Sequence, residues 1–298
     1  MLRVSVALPV HNAASTIRST LDSLVNQTFR DFNVVIIDDC SQDETSQIVS
    51  SYADKIDLNI IHSSTNLGIS GARNRLLKEI NAPYIAVLDH DDICHPTRLE
   101  KQYDFLQQHP ETDICGSAIA YFSVDTERHN AKNILRHPSE DQVIRTRLLY
   151  NTAMVHPSTM AKRSFFNDVG GYEAQFSPAE DYAFWCRAAL LGKRFANIEE
   201  PLLYYHTHPR QTSKIQSQMM IQKDIEIKRF YIQGLLNGVQ DTFLAELMCP
   251  YLEHERKDVA AALSKIMPII LNLYDKVSCR QTYESLISSV LAKHLAQD

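Results

Sequence analysis

The chain has 298 residues, 44% of them apolar and 22% charged, with a formal net charge of −6. These proportions suit a globular protein and exclude wholesale disorder, and the acidic balance argues against a strongly basic nucleic-acid binder. No run of about 18 or more apolar residues occurs, so no transmembrane helix is expected, and Met1-Leu2-Arg3-Val4 moves straight into a strand-like pattern without a secretory h-region.

In chain order, Arg3–Val10 reads as a short buried strand ending in Pro9-Val10. A helical stretch follows with Ile17, Leu21, Leu24 and Val25 on one face. Asn33–Asp39 is a second buried strand, and Ser41-Gln42-Asp43-Glu44 reads as a capping box opening a second helix. Leu58–His62 is a third strand, Gly71–Ile80 a helix, and Tyr84–Leu88 a fourth strand, with Pro96 suited to the first turn of the next helix. Strand and helix alternating at this spacing imply right-handed crossovers and a mostly parallel sheet, which binds ligands at the carboxyl ends of its strands.

Beyond residue 113 the order loosens. Ile114–Phe122, Arg194–Ile198 and Leu202–His206 read as strands, and Glu140–Tyr150 and Asp181–Leu191 as helices. From Lys214 onward only helical patterns remain, over Met219–Leu236, Thr242–Leu252 and Lys257–Tyr274. A soft boundary near residue 212 divides the chain into 1–212 and a helical extension, 213–298. Met219, Met220, Ile221, Ile225, Leu235 and Leu236 offer an apolar surface in that extension, with core packing as its expected use. Cys40, Cys94, Cys115, Cys186, Cys249 and Cys279 are scattered without a C-x-x-C pair, so neither zinc nor a disulfide framework is expected; they read as reduced thiols of a cytosolic protein.

Three of the strands run into polar clusters. Asp89-His90-Asp91-Asp92 places three carboxylates in four residues, costly at a strand end unless a cation or hydrogen-bond donors neutralise them. Such oxygen ligands suit Mg²⁺ or Mn²⁺ held together with phosphates; a solvated loop with a capping aspartate stays open beside that reading. Asp38-Asp39 can accept hydrogen bonds from a ribose or base, or cap a helix. Asn66-Leu67-Gly68-Ile69-Ser70-Gly71-Ala72-Arg73 is a glycine-containing loop entering a helix, suited to a phosphate or to a plain surface turn. Glu180-Asp181 opens a helix, where acidic residues are commonplace and where one could also serve as a general base. His206 and His208 would face one side of a persisting strand.

Taken in order, Val6-Ala7-Leu8-Pro9-Val10-His11-Asn12, Ile37-Asp38-Asp39-Cys40-Ser41, Asn66-Leu67-Gly68, Gly71-Ala72-Arg73-Asn74, Leu88-Asp89-His90-Asp91-Asp92, Val169-Gly170-Gly171-Tyr172, Glu180-Asp181-Tyr182 and Tyr204-Tyr205-His206-Thr207-His208 resemble family 2 glycosyltransferases of the GT-A fold, over roughly residues 3–212. The resemblance implies an α/β fold with a Rossmann-like nucleotide-binding sheet flanked by helices. It implies a metal-dependent, inverting transferase that moves a sugar from a nucleotide-diphosphate donor, commonly a UDP-sugar, to a saccharide or lipid-linked acceptor in cell-surface polysaccharide assembly.

Residue by residue, the same resemblance implies that Pro9, Val10 and Asn12 line the nucleotide pocket, that Asp39 bonds the base with Asp38 in support, and that Asn66, Gly68, Arg73 and His90 lie by the donor. Asp89 and Asp91 form the DxD motif for Mn²⁺ or Mg²⁺, with His208 approaching the metal or diphosphate. Asp181 is the catalytic base and Glu180 helps to place the acceptor. This sequence departs from the family where Asp39-Cys40-Ser41 replaces the frequent Asp-Gly-Ser and Tyr205-His206 the frequent Tyr-Arg. The expected setting is the cytoplasm, with peripheral contact at the inner face of the membrane and homo-oligomerisation left open and no nucleic-acid partner. Two other classes compete: an inactive nucleotide- or glycan-binding module, against which the intact Asp89, Asp91, Glu180 and Asp181 speak, and a sugar-nucleotide pyrophosphorylase, disfavoured because Pro9-Val10-His11-Asn12-Ala13-Ala14 lacks a glycine-rich phosphate loop and its lysine.

Overall fold

Every residue of VSVALPV, Val4–Val10, is buried, as befits a strand covered on both faces. This is β1 of a nine-stranded sheet seen in a computed structural model that describes residues 2–122, 133–207 and 217–235. The other strands are β2 (Phe32–Asp38), β3 (Leu58–His62), β4 (Tyr84–Val87), β5 (Ile93–Cys94), β6 (Ile114–Phe122), β7 (Ile134–Leu135), β8 (Met160–Lys162) and β9 (Phe195–His206). The helices are α1 (Ile17–Val25), α2 (Thr45–Ser50), α3 (Gly68–Glu79), α4 (Arg98–Gln108), α5 (Asp141–Arg147), α6 (Arg163–Val169), α7 (Glu180–Leu190) and α8 (Ser217–Leu235). The strand order is β3-β2-β1-β4-β8-β6-β9-β5, with β7 paired to β6. Pairing is parallel from β3 to β4 and between β6 and β9, and antiparallel where β8 joins β4 to β6 and where β5 joins β9.

Period-two alternation divides the apolar side chains between two cores. Val6, Leu8, Val34 and Ile36 pack with Ile17, Leu21, Leu24 and Leu99 on one face. Ala7, Val35, Ile37 and Val87 pack with Leu76, Phe165, Phe184 and Trp185 on the other. The chain leaves β1, β2 and β3 through left-handed residues: Asn12 at φ 48°, Cys40 at 64° and Gly68 at 70°. Parallel pairing of β1, β2 and β3 brings the turns that follow them to one end of the sheet.

Several local expectations need correction. Ser41 does not cap α2, which begins at Thr45; its hydroxyl accepts the Asn12 amide, and Asp43 takes the Thr45 amide instead. Pro96 lies two residues before α4, and its carbonyl accepts the Thr28 amide. The two strands expected over Arg194–Ile198 and Leu202–His206 are one strand, β9, which bulges so that Ser117 pairs with Ile198 while Ala118 pairs with Pro201. The bulge turns Glu199 and Glu200 out to solvent and lets pairing resume.

Helix α8 lies on α7, burying Ile227, Tyr231 and Ile232, and Gly234 allows Leu190 an approach that a β-carbon would block at 2.5 Å. Met219 stays exposed. The boundary near residue 212, the helices expected at Thr242–Leu252 and Lys257–Tyr274, and Leu236, His208, Cys249 and Cys279 lie outside the described residues. Cys40, Cys94, Cys115 and Cys186 are free thiols. Among the described residues no helix is long and apolar enough to cross a membrane.

Candidate functional site

Because β1, β2 and β4 run parallel in register, Val10 lies opposite Asp38 and the chain after each strand emerges at one edge. The first two turns are stitched together. The Asn12 amide donates to Ser41 Oγ at 3.0 Å, the Gln42 amide to Asn12 Oδ1 at 2.8 Å, and the Ala13 amide to Thr45 Oγ1 at 2.7 Å. Asp38, 5% exposed, accepts the Ser41 amide. Asp39 holds the third turn, its two oxygens accepting the Leu67 and Gly68 amides at 2.7 and 3.0 Å. His11 Nδ1 donates to the Asp39 carbonyl at 2.7 Å, and the Asn12 and Asn66 side-chain amides lie beside its ring. Asn12, Asp38, Asp39, Asn66 and Gly68 therefore form one hydrogen-bonded rim at the buried Pro9-Val10 end of β1, with both Asp39 oxygens engaged by backbone amides.

The acidic loop after β4 is held on three sides. Thr20 of α1 donates to the His90 carbonyl at 2.9 Å, and Thr16 lies 3.2 Å from the His90 ring. Asp92 turns inward, 1% exposed, and accepts the His206 amide at the end of β9. Burial and the neighbouring Asp91 and Asp89 hold the Asp92 carboxyl well above the usual range. The third carboxylate of the tetrad is thus a structural tie, whereas Asp89 and Asp91 are both half-buried.

Arg73 joins this loop to α7. Its guanidinium, on a residue 8% exposed, pairs with Glu180 at 2.7 Å and Asp89 at 3.3 Å and lies 5.5 Å over the Tyr172 ring. These carboxylates raise the Arg73 pKa against the opposing effect of burial. The motif Gly170-Gly171-Tyr172 has its place here. Asn74 clamps the Tyr172 backbone, accepting its amide at 2.7 Å and donating to its carbonyl at 2.8 Å. Gly171, at φ 87°, allows this because a β-carbon there would stand 2.6 Å from Asn74 Oδ1. Tyr172 Oη lies 2.8 Å from His156 Nε2, and burial followed by Arg73 keeps that imidazole neutral.

Glu180 is buried, with Oε1 on Arg73 and Oε2 without a hydrogen-bond partner in the structure. Asp181 beside it accepts the Tyr182 amide at 2.7 Å. Burial, then the adjacent Glu180 charge, push the Asp181 carboxyl up to about 6, with Arg73 opposing. A carboxylate in that range can hold or release a proton near neutrality. Tyr205 also feels this cluster: burial raises its phenol, as do Asp92, Asp89, Asp91 and Asp181.

The structure thus gathers Arg73, Asp89, Glu180 and Asp181 around one charge network and places Asn12, Asp38, Asp39, Asn66 and Gly68 along the adjoining rim. His90 belongs to the loop through its backbone, and His208 is outside the described residues. Among the described residues no three His, Cys, Asp or Glu side chains form a closed metal cage. The oxygen donors of Asp89 and Asp91 fit a hard cation that completes its shell with waters and substrate phosphates. Sequence reading missed Thr16, Thr20, Asn74, His156 and Tyr172 as supports. Asn74 and Tyr172 fell within quoted motifs, which were their only signal.

A family model described as Glycosyl transferase family 2 matches residues 5–170. The bifunctional glycosyltransferase pgtA of Dictyostelium discoideum is 31% identical over 224 residues, 63% of this chain and 29% of pgtA, so the chain spans under a third of that relative. The poly(ribitol-phosphate) beta-N-acetylglucosaminyltransferase TarS of Staphylococcus aureus is 27% identical over 267 residues, 86% of this chain and 45% of TarS. The crystal structure of TarS 1–349 in complex with UDP-GlcNAc superposes with a TM-score of 0.65 at 20% identity, covering 98% of this chain and 81% of that one, and the shared architecture is the GT-A fold. The mannosyltransferase PcManGT of Pyrobaculum calidifontis, in complex with GDP-Man and Mn2+, superposes with a TM-score of 0.59 at 17% identity, covering 98% and 86%.

Proposed function

The chain belongs to glycosyl transferase family 2, and from that premise we propose that it moves a sugar from a nucleotide-diphosphate donor, a UDP-sugar first, to a saccharide or lipid-linked acceptor with inversion and with Mn²⁺ or Mg²⁺ as cofactor. The observation that carries the reading is the Arg73 network, which joins Asp89 of the acidic loop to Glu180 and the elevated Asp181 carboxyl at the carboxyl end of a parallel sheet. The structural likeness to UDP-GlcNAc-bound TarS favours UDP, and the Mn2+ in PcManGT favours a divalent cation. Polysaccharide assembly is the proposed setting, supported by the acceptor in the name of TarS.

In this reading the rim of Pro9, Val10, Asn12, Asp38, Asp39, Asn66 and Gly68 takes the nucleoside. Asp89 and Asp91 would hold the cation, and His208 follows the strand that ends beside them. When bound, the cation supplies positive charge opposite the diphosphate leaving group. Asp181 accepts the acceptor hydroxyl's proton as that oxygen attacks the anomeric carbon. One displacement with one base inverts the configuration. Glu180, fixed by Arg73, orients the acceptor through its free oxygen. Arg73 offsets the carboxylates' mutual repulsion before donor binds.

The test is calorimetric titration of UDP, with GDP and dTDP as comparators, with and without Mn²⁺. Tight UDP binding that needs Mn²⁺ is expected. Metal-dependent preference for another nucleotide would move the donor, and folded protein that binds none of the three would overturn the reading.

A further inference from the structure

Arg98, the first residue of α4, is fully buried, and among the described residues no carboxylate lies within ion-pair distance of it. Its guanidinium is ligated by neutral groups. Nη2 donates to the Val87 carbonyl at 2.7 Å and the Thr159 carbonyl at 3.2 Å, Nε to Gln102 Oε1 at 3.0 Å, and Nη1 to Cys94 Sγ at 3.3 Å. Burying a cation this way is costly, because neutral dipoles replace only part of its hydration. An apolar side chain of similar volume would fill the core without that cost. The sequence spends a charge here, and its position is informative.

Val87 is the last residue of β4, two before Asp89, and its amide donates to the same Thr159 carbonyl that Arg98 binds. Arg98 therefore fixes the backbone where it leaves the sheet to become the acidic loop, tying it to the residue preceding β8. Two glutamines extend the layer. Gln102 donates to the Ser158 carbonyl at 2.8 Å, and Gln27 donates to the His95 carbonyl while accepting the Leu99 amide. The loop from Val87 to His95 thus stands on a buried polar floor with one charge, that of Arg98, at its centre.

We propose that Arg98 is a positioning residue for divalent-cation binding: its Nη2, held in place by Gln102 and Cys94 on the rest of the guanidinium plane, fixes the Val87 and Thr159 carbonyls together and so sets the spacing of Asp89 and Asp91. This rests on the transferase reading, in which those aspartates hold the cation. A lysine retains the charge but presents a point donor in place of the fork, so charge and geometry separate experimentally.

The experiment uses the full chain and measures Mn²⁺ alone by electron paramagnetic resonance titration and UDP in saturating Mn²⁺ by calorimetry, for wild type, Arg98→Lys, Arg98→Met and Arg145→Lys. Arg145 is the control. It too donates to two backbone carbonyls, of Ala189 and Lys193, but at the far end of α7. Each Arg98 variant should bind Mn²⁺ about 10- to 100-fold more weakly, with UDP affinity falling in parallel. Arg145→Lys should lose thermal stability while binding Mn²⁺ and UDP as wild type does. If Arg98→Met does not fold, Arg98→Lys decides alone. Wild-type Mn²⁺ affinity in folded Arg98→Lys would overturn the proposal, as would a matching loss in Arg145→Lys. Wild-type protein that binds UDP no better with Mn²⁺ would overturn the metal reading itself, before any variant is compared.

Discussion

Asp181→Asn separates catalysis from stability, and the two should move in opposite directions. In the folded protein the Asp181 carboxyl stands near 6 against an ordinary 3.8, mainly because it is buried and then because Glu180 is adjacent. The raised value makes the ionised form a burden on the fold. This group's favourable contribution is complete below about pH 4 and is lost as pH rises through about 6. A rise of about two units corresponds to roughly 2.7 kcal/mol, and water reaching a half-buried side chain screens this to on the order of 2 kcal/mol. Asparagine preserves the oxygen that accepts the Tyr182 amide and removes the charge. The variant should therefore be more stable than wild type at pH 7.5 by about 2 kcal/mol, a melting rise of a few degrees, and the advantage should vanish near pH 4. Urea unfolding at the two pH values measures it. Sugar transfer should nearly cease, with donor affinity within about twofold, and wild-type kcat/KM should fall as pH drops through about 6. A variant less stable than wild type at pH 7.5, or equally advantaged at both pH values, would refute the account of Asp181's environment. Near-normal transfer would refute its role as base.

Asp91→Asn should weaken Mn²⁺-dependent UDP binding at least about tenfold; unchanged metal-dependent binding in calorimetry would remove Asp91 from the cation site. Gly171→Ala should destabilise by about 2 kcal/mol, since the residue is left-handed and the new methyl meets Asn74; a loss under about 0.5 kcal/mol in urea unfolding would show that the Asn74 clamp yields freely. Cys40→Gly should stabilise by about 1 kcal/mol by relieving a left-handed side chain at φ 64°, an effect read as a melting rise and absent if the turn relaxes around the thiol.

The first four strands were legible because each is a short run rich in apolar residues between polar turns, too short to compete as a helix. The second half was harder for reasons that particular residues make plain. Ile93–Cys94 and Met160–Lys162 are too short to carry a pattern, yet β8 bridges the two halves of the sheet. The β9 bulge presents Glu199-Glu200-Pro201 in mid-strand, which reads as a break. At the site, the carboxylates announced themselves by clustering. Their supports did not, because Thr20, Asn74, Arg98 and His156 act across 11 to 98 positions of sequence on backbone atoms or on a tyrosine hydroxyl. The structural use of Asp92 was hidden because only the folded chain brings the His206 amide to it.

Strand β9 has a consequence for biosynthesis. It lies between β6 and β5, and its last residue supplies the amide that holds Asp92. While the ribosome has released only the first half of the chain, the acidic loop already exists as sequence, but the partner strand of β5 and the tether of Asp92 do not. Residue 206 must emerge before the loop can be fastened. The nascent parallel sheet can assemble early, but the acidic loop is fastened in one late step, and an N-terminal fragment ending before Phe195 would carry the aspartates without the strand that holds Asp92.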